Sequence, residues 1–288
     1  MRLLITGSSG FLGRRAAAHF SALGADVQTP AHAQLDITDK NAVTQWFQHH
    51  RPQAVIHCAA ISDTGLCQKD PTGSARINVT GTANLAAACA QVGAKLIFCS
   101  SDQVYAGSSV PGPHLESETL TPGTVYARQK FLAEQQCHTL CPNTVSLRLS
   151  WMYSSRLLPG EHGHLLTSLY NAIQDEHLPL SWPVHDYRGI TDVESVVARL
   201  PATLDFPAGI YNFGAENDRN TFLTIQTVLR ELNLHSGLSR LTPNLQAFAD
   251  APRDIRMNGS LTASMGVSFD DTCEGLCRAL SRCLKTEV

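Results

Sequence analysis

Within its first thirteen residues the chain passes from an apolar run, 3–6, through three evenly spaced glycines into a helical pattern. The turn reads Gly7-Ser8-Ser9-Gly10-Phe11-Leu12-Gly13. No other feature limits the fold as much, because each glycine has a steric reason. Gly7 permits the tight turn, Gly10 lets backbone approach a pyrophosphate, and Gly13 lets helix and strand pack closely. The helix N-terminus then turns unbonded N–H groups toward an anion. A strand–turn–helix without a ligand is the bland alternative.

The rest of the first half repeats the rhythm. Apolar runs at 3–6, 26–29, 54–58, 96–100 and 144–149 alternate with helical patterns at 11–23, 41–49, 77–92 and 126–140. That alternation predicts an α/β fold, a doubly wound parallel sheet with helices on both faces. Gly24 and Gly93 stand where left-handed caps close helices, and Asp39 stands where an N-cap opens one. After residue 150 the rhythm changes. A loop at 157–163 precedes helical patterns at 164–175, 191–200 and 221–232, an extended piece between Pro179 and Pro183, and a strand at 209–213. We therefore expect a main domain at 1–150 with later returns near 184–213. A smaller C-terminal substrate lobe takes 151–183 and 214–288.

Composition excludes several function classes. With 22 Lys+Arg against 25 Asp+Glu the formal charge is −3, so neither a basic nucleic-acid surface nor an acidic tail is expected. At 43% apolar and 16% charged residues, a 288-residue chain has ample core and little self-repulsion. No apolar run reaches the roughly 18 residues of a membrane helix. Met1-Arg2 runs straight into the first strand, so no leader peptide is expected.

The nine cysteines form no tight framework. Cys58 and Cys99 sit in apolar runs, while Cys137/Cys141 and Cys273/Cys277 are spaced to share a helix face. Free thiols and a reducing, cytoplasmic compartment follow. His162/His164 and His49/His50 lack partners at ligand spacing, so no metal is expected.

Two further groups carry chemistry. Tyr126-Ala127-Arg128-Gln129-Lys130 puts a phenol and an ammonium on one helix face. The ammonium is expected to draw the phenol's pKa down from about 10, fitting it to exchange a proton. Ser100-Ser101 ends the run 96–99, at the strand end where doubly wound sheets bind ligands. An exposed helix pair and a turn serine are the alternatives. Between the second strand and its helix, Asp36 and Ile37 fall where an adenine edge would lie, or form only a capped loop. The second strand ends Gln28-Thr29-Pro30-Ala31-His32, with neither the acid that suits NAD nor an arginine for NADP. Arg14 and Arg15 could meet a 2′-phosphate, or simply be solvated.

In this order these groups resemble an extended short-chain dehydrogenase/reductase with a Rossmann fold. The matching segments are 7–13, 35–38, 57–60, 78–82, 99–105 and 126–130. Within that superfamily the chain is similar to the dTDP-4-dehydrorhamnose reductase branch. That branch includes sugar-nucleotide reductases and the regulatory subunit of methionine adenosyltransferase. The resemblance implies Ser101, Tyr126 and Lys130 as catalytic residues, with Tyr126 the acid and Lys130 holding the nicotinamide ribose. It implies a cofactor site of Gly7, Ser9, Gly10, Phe11, Leu12, Gly13, Arg14, Asp36, Ile37, Cys58, Ala59, Ala60 and Asn78, with Tyr126 and Lys130. It implies NADP or NAD as the cofactor, with NADPH slightly preferred. Members often dimerise through helices matching 77–92 and 126–140.

Ser101-Asp102-Gln103 departs from the Thr-Asp-Glu of the dehydratases, and an amide takes no proton at neutral pH. The reading is thus a reductase of a keto group on a nucleotide-linked sugar, with Asp102, Trp151 and Arg188 as substrate contacts. Trp182, Arg253 and Arg256 are further candidates of the same kind. An epimerase holding NAD, or a nucleotide-binding regulatory subunit without turnover, are the alternatives.

Overall fold

A computed structural model describes residues 1–158, 161 and 164–285. Pro159, Gly160, His162 and Gly163, part of the expected loop, lie outside the described residues. The chain divides into two compact units. The first comprises Met1–Ser108, Glu116–Leu149 and Val197–Asn212; the second comprises Ser109–Leu115, Ser150–Val196 and Phe213–Val288. Of the segment 184–213, the part lying with the first unit is Val197–Asn212.

In the first unit, β1 (Arg2–Thr6) leads through the glycine turn into α1 (Phe11–Ala22), then β2 (Asp26–Gln28), α2 (Lys40–His50) and β3 (Ala54–His57). Two short helices follow, α3 (Thr64–Lys69) and α4 (Pro71–Ala75), then a π-helical turn, Arg76–Gly81, that runs into α5 (Thr82–Val92). Next come β4 (Lys95–Ser101), a 3₁₀ turn (Asp102–Tyr105), α6 (Val125–Leu140) and β5 (Thr144–Leu149).

The second unit holds β6 (Trp151–Tyr153), α7 (Leu165–Gln174), β7 (Ser181–Pro183), β8 (Asp186–Tyr187) and β9 (Ile190–Asp192), from which α8 (Val193–Arg199) departs. After β10 (Gly209–Phe213) it continues with α9 (Thr221–Glu231), α10 (His235–Arg240), β11 (Thr242–Asn244), β12 (Arg253–Asp254), α11 (Ser260–Ser264) and α12 (Thr272–Lys285).

The main sheet has six strands in the order β10-β5-β4-β3-β1-β2. β1 pairs in parallel with β2 on one side and β3 on the other. Successive strands therefore diverge from β1, and the crevice at the carboxyl ends of β1 and β3 is where such sheets take ligands. β3 and β5 are buried along their whole lengths, as strands covered on both faces must be. α1 buries Leu12, Ala16 and Phe20, one residue per turn. Asp39 caps α2 by accepting from the Asn41 and Ala42 amides, and Gly93 closes α5 in the left-handed region. One core gathers Leu4, Val55, Leu85, Leu96 and Phe98 with Cys89, Cys137 and Cys141. The second unit's core joins Leu169, Ile225, Leu229, Leu276 and Leu280.

Three expectations are corrected. The helix expected from residue 77 instead begins as α3, α4 and a π turn, because Asp63 and Asp70 each cap a new start. The helix expected from Thr191 starts at Val193, because Ile190–Asp192 pair with β6. α12, absent from the sequence reading, buries Cys273, Leu276, Ala279 and Leu280; its cysteines serve as part of the apolar stripe. Cys141, spaced to share a helix face with Cys137, is instead the extended residue that ends α6.

Candidate active site

The glycine turn is assembled by contact. Gly7 lies in the left-handed region at φ 67°, and a Cβ there would meet the Ala59 amide nitrogen at 2.6 Å. A Cβ on Gly13 would meet the Gly7 carbonyl oxygen inside van der Waals distance. Gly10, exposed at the N-cap of α1, leaves that helix with no side-chain cap. The turn thus fits a pyrophosphate: a bare backbone approach at a helix start, with side chains excluded on the inner side. Ser9 is exposed beside it, Phe11 is half-buried, and Leu12 is core.

Behind the turn, a chain of polar groups orders its neighbours. The Ala59 amide donates to Thr6 Oγ1 at 3.4 Å, and Thr6 Oγ1 lies 2.7 Å from His57 Nδ1. His57 Nε2 lies 2.9 Å from Thr82 Oγ1, whose proton goes to the Asn78 carbonyl at 2.8 Å. Because Thr82 donates onward, it accepts from Nε2–H, and Nδ1 accepts from Thr6. The ring is therefore neutral, and burial drives its pKa down to about 3, helped by the nearby Lys130 charge.

Asn78 sits inside the π turn, 1% exposed, and is not a helix cap. It accepts from the Ile61 amide at 2.8 Å and donates to the Ile61 carbonyl at 3.0 Å. It also donates to Gln129 Oε1 at 2.9 Å, and Gln129 donates to Ser74 Oγ at 2.8 Å and the Pro71 carbonyl at 3.0 Å. Single π turns inside α-helices are frequent at functional sites. Gln129, missed in the sequence, ties α4 and the π turn to the helix that carries Tyr126 and Lys130. Its signal was a polar residue on a face that must be buried.

Ser101, Tyr126 and Lys130 come together at the end of β4 and the start of α6. Thr124 caps α6 by accepting from the Ala127 amide. Lys130 Nζ, buried, donates to the Cys99 carbonyl at 2.8 Å and lies 5.9 Å from the centre of the Tyr126 ring. Burial pulls the lysine below its ordinary value. Ser101 Oγ donates to Asp102 Oδ1 and accepts from the Gln103 amide, both at 3.2 Å. The expected fall in the Tyr126 pKa does not occur: burial raises it well above 10, against a lowering hydrogen bond with Ser101. The buried Asp102 charge adds to the rise.

Other sequence candidates part company. Arg14 reaches back to the Ser9 carbonyl at 3.4 Å, whereas Arg15 is buried with its guanidinium 4.5 Å over the Phe11 ring. Asp36 accepts from the Thr38 amide and hydroxyl, which hold its pKa low, while Ile37 is core. Cys58, Ala59 and Ala60 follow β3, partly exposed. Trp151 and Arg188 belong to the second unit, where the guanidinium stacks 4.8 Å from the indole. Arg253 pairs with Asp186 and Arg256 with Asp254, each at 2.7 Å. Among the described residues no three His, Cys, Asp or Glu side chains gather as a metal set. No helix among them is long and apolar enough to cross a membrane.

The family model for the RmlD substrate binding domain matches residues 1–271. A dTDP-4-dehydrorhamnose reductase of Mycobacterium tuberculosis is 35% identical over 156 residues, 53% of this chain. The match spans about half, 51%, of that relative's length. Methionine adenosyltransferase 2 subunit beta of Bos taurus is 25% identical over 92% of this chain and 83% of its own. The crystal structure of a Bacillus anthracis dTDP-4-dehydrorhamnose reductase in complex with NADP superposes with a TM-score of 0.83 at 23% identity, covering 98% of this chain and 99% of that one. The likeness to that structure shows the fold, a Rossmann-type sheet, and the family match spans nearly the whole chain. The chain therefore belongs to the RmlD substrate binding domain family.

Proposed function

We propose that the chain is an NADPH-dependent reductase of a keto group on a dTDP-linked deoxysugar. The observation that carries this is the meeting of Ser101, Tyr126 and Lys130 at the carboxyl end of β4, beside β3, whose own end touches the glycine turn. When bound, the nicotinamide cofactor supplies the hydride. Tyr126, kept protonated by its burial, gives its phenolic proton to the carbonyl oxygen as negative charge grows there. The Ser101 hydroxyl orients that oxygen, and Lys130, anchored on the Cys99 carbonyl, presents its ammonium to the ribose. Gly7, Gly10 and Gly13 would hold the pyrophosphate, flanked by Ser9, Phe11 and Leu12, with Ala59, Ala60 and Asn78 beside the nicotinamide half. Gln103, having no basic atom, supports reduction over dehydration.

Arg14 at the turn supports NADPH as the partner for the extra phosphate. Asp102, Trp151 and Arg188 remain the substrate contacts of this reading. Nine free cysteines support a reducing, cytoplasmic setting. Leu132, exposed on α6, supports a homodimer through α5 and α6, which light scattering tests. The test of the activity is NADPH oxidation with a panel of dTDP-keto-sugars. Turnover with at least one and little with NADH is expected; none with any, although NADPH binds, overturns the reading. The near full-length match to the methionine adenosyltransferase subunit favours a second reading, a nucleotide-binding subunit without turnover. A Tyr126→Phe chain that keeps its full biological function would select it.

A further inference from the structure

Two thiols beside the proposed site take no part in the proposed reaction. Cys58 directly follows β3, and Cys99 lies near the end of β4. These strands are parallel with His57 opposite Phe98. One residue on, Cys58 stands opposite Cys99 with both side chains on one side of the ladder. Their sulfurs are 3.6 Å apart. Neighbouring strands lie about 4.8 Å apart, and disulfides span Cα separations of roughly 4.4–6.8 Å. Bringing the sulfurs to the bonded distance of about 2.05 Å therefore requires side-chain rotation and no parting of the strands.

The surroundings suit the chemistry. Lys130 Nζ sits on the Cys99 carbonyl. The Cys58 thiol and, behind it, the Lys130 ammonium draw the Cys99 thiol below its ordinary value, although burial opposes them; contact with Cys99 and burial push Cys58 up. One sulfur is thus the better thiolate and the other its resolving thiol. Cys58 is partly exposed, which gives a small oxidant access to the pair.

We propose that Cys58 and Cys99 are a modification site for hydroperoxides, closing to a disulfide that disables the cofactor site. The Cys99 thiolate attacks a peroxide oxygen. An S–O bond forms, the O–O bond breaks, and the departing hydroxide takes up the thiol's former proton as water. The Cys58 sulfur then attacks the sulfenic sulfur. The S–S bond forms, the S–O bond breaks, and the hydroxyl leaves with the Cys58 proton as a second water. Two thiols lose two electrons and one hydrogen peroxide gains them. The effect on the cofactor rests on the function proposed above, because the bridge re-orients and locks the side chains just before Ala59 and at the residue whose carbonyl anchors Lys130.

The test treats the full-length protein with hydrogen peroxide, blocks remaining thiols and maps its peptides by mass. A linked Cys58–Cys99 peptide is expected, two hydrogens lighter than its parts and released by dithiothreitol. In Cys58→Ser the Cys99 sulfenic acid should persist and be trapped by dimedone. Peroxide that oxidises other cysteines while Cys58 and Cys99 stay free, or that links either to a different cysteine, overturns the site. In parallel, NADPH fluorescence should be lost on oxidation and return on reduction; binding unchanged in bridged protein overturns the disabling step. A bridged protein that never bound NADPH when reduced would sink the reductase reading and the disabling step with it, leaving the modification site standing.

Discussion

At Tyr126 burial outweighs the lowering hydrogen bond with Ser101. The YxxxK spacing is legible from sequence, since i and i+4 share a helix face. The sign of the pKa shift is not, because it depends on burial in the folded chain, on the Ser101 hydrogen bond and on the nearby Asp102 charge. A phenol held protonated is still competent as an acid. Tyr126→Phe should lower turnover about a hundred- to ten-thousand-fold while NADPH binding, read by fluorescence, persists. Gly13 is a sharper case. Its absent Cβ leaves room for the Gly7 carbonyl, so Gly13→Ala should abolish NADPH binding and lower the melting temperature. A Gly13→Ala protein that binds NADPH like wild type would count against the turn as the pyrophosphate site.

Among the elements, α6 is held by a buried ion pair that sequence reading passed over as part of an apolar strand. Arg148 on β5 is 1% exposed and forks onto Glu134 of α6 at 3.1 and 2.8 Å. It also donates to Tyr105 Oη at 2.8 Å, which donates to Asn212 of β10. The Glu134 contacts outweigh burial and hold the guanidinium firmly charged. The pair locks the helix bearing Tyr126 and Lys130 to the sheet. Arg148→Met should cost about 3–5 kcal/mol by leaving Glu134 buried and unpaired. The double variant Arg148→Met/Glu134→Leu should recover most of that. Urea midpoints of the two proteins check this; equal losses would mean that the cost lies in packing. Arg148 and Glu134 are fourteen residues apart on different elements, so only the packing of β5 against α6 reveals the partnership.

Over the whole molecule, His57 ties stability to pH. Its folded pKa, about 3, lies below the ordinary 6.5. Between those values the unfolded chain binds a proton that the folded chain does not, so stability rises with pH across that window. Its contribution is complete above pH 6.5 and falls as pH drops, by at most about 1.4 kcal/mol per pH unit for one such group. The melting temperature should therefore fall from pH 7 to pH 5, and His57→Gln should flatten that slope; equal slopes would show that His57 is not the group responsible. By itself the sequence determined the alternation of strands and helices, the glycine turn and the tyrosine–lysine pair on one helix face, because short-range spacing and periodicity carry them. Only the tertiary structure decided that His57 is neutral, that Gln129 bridges to Asn78, that Arg148 meets Glu134 and that Cys58 faces Cys99. In each case the partners are far apart in sequence or on different elements. The physics acts through burial and distance, which local spacing does not encode.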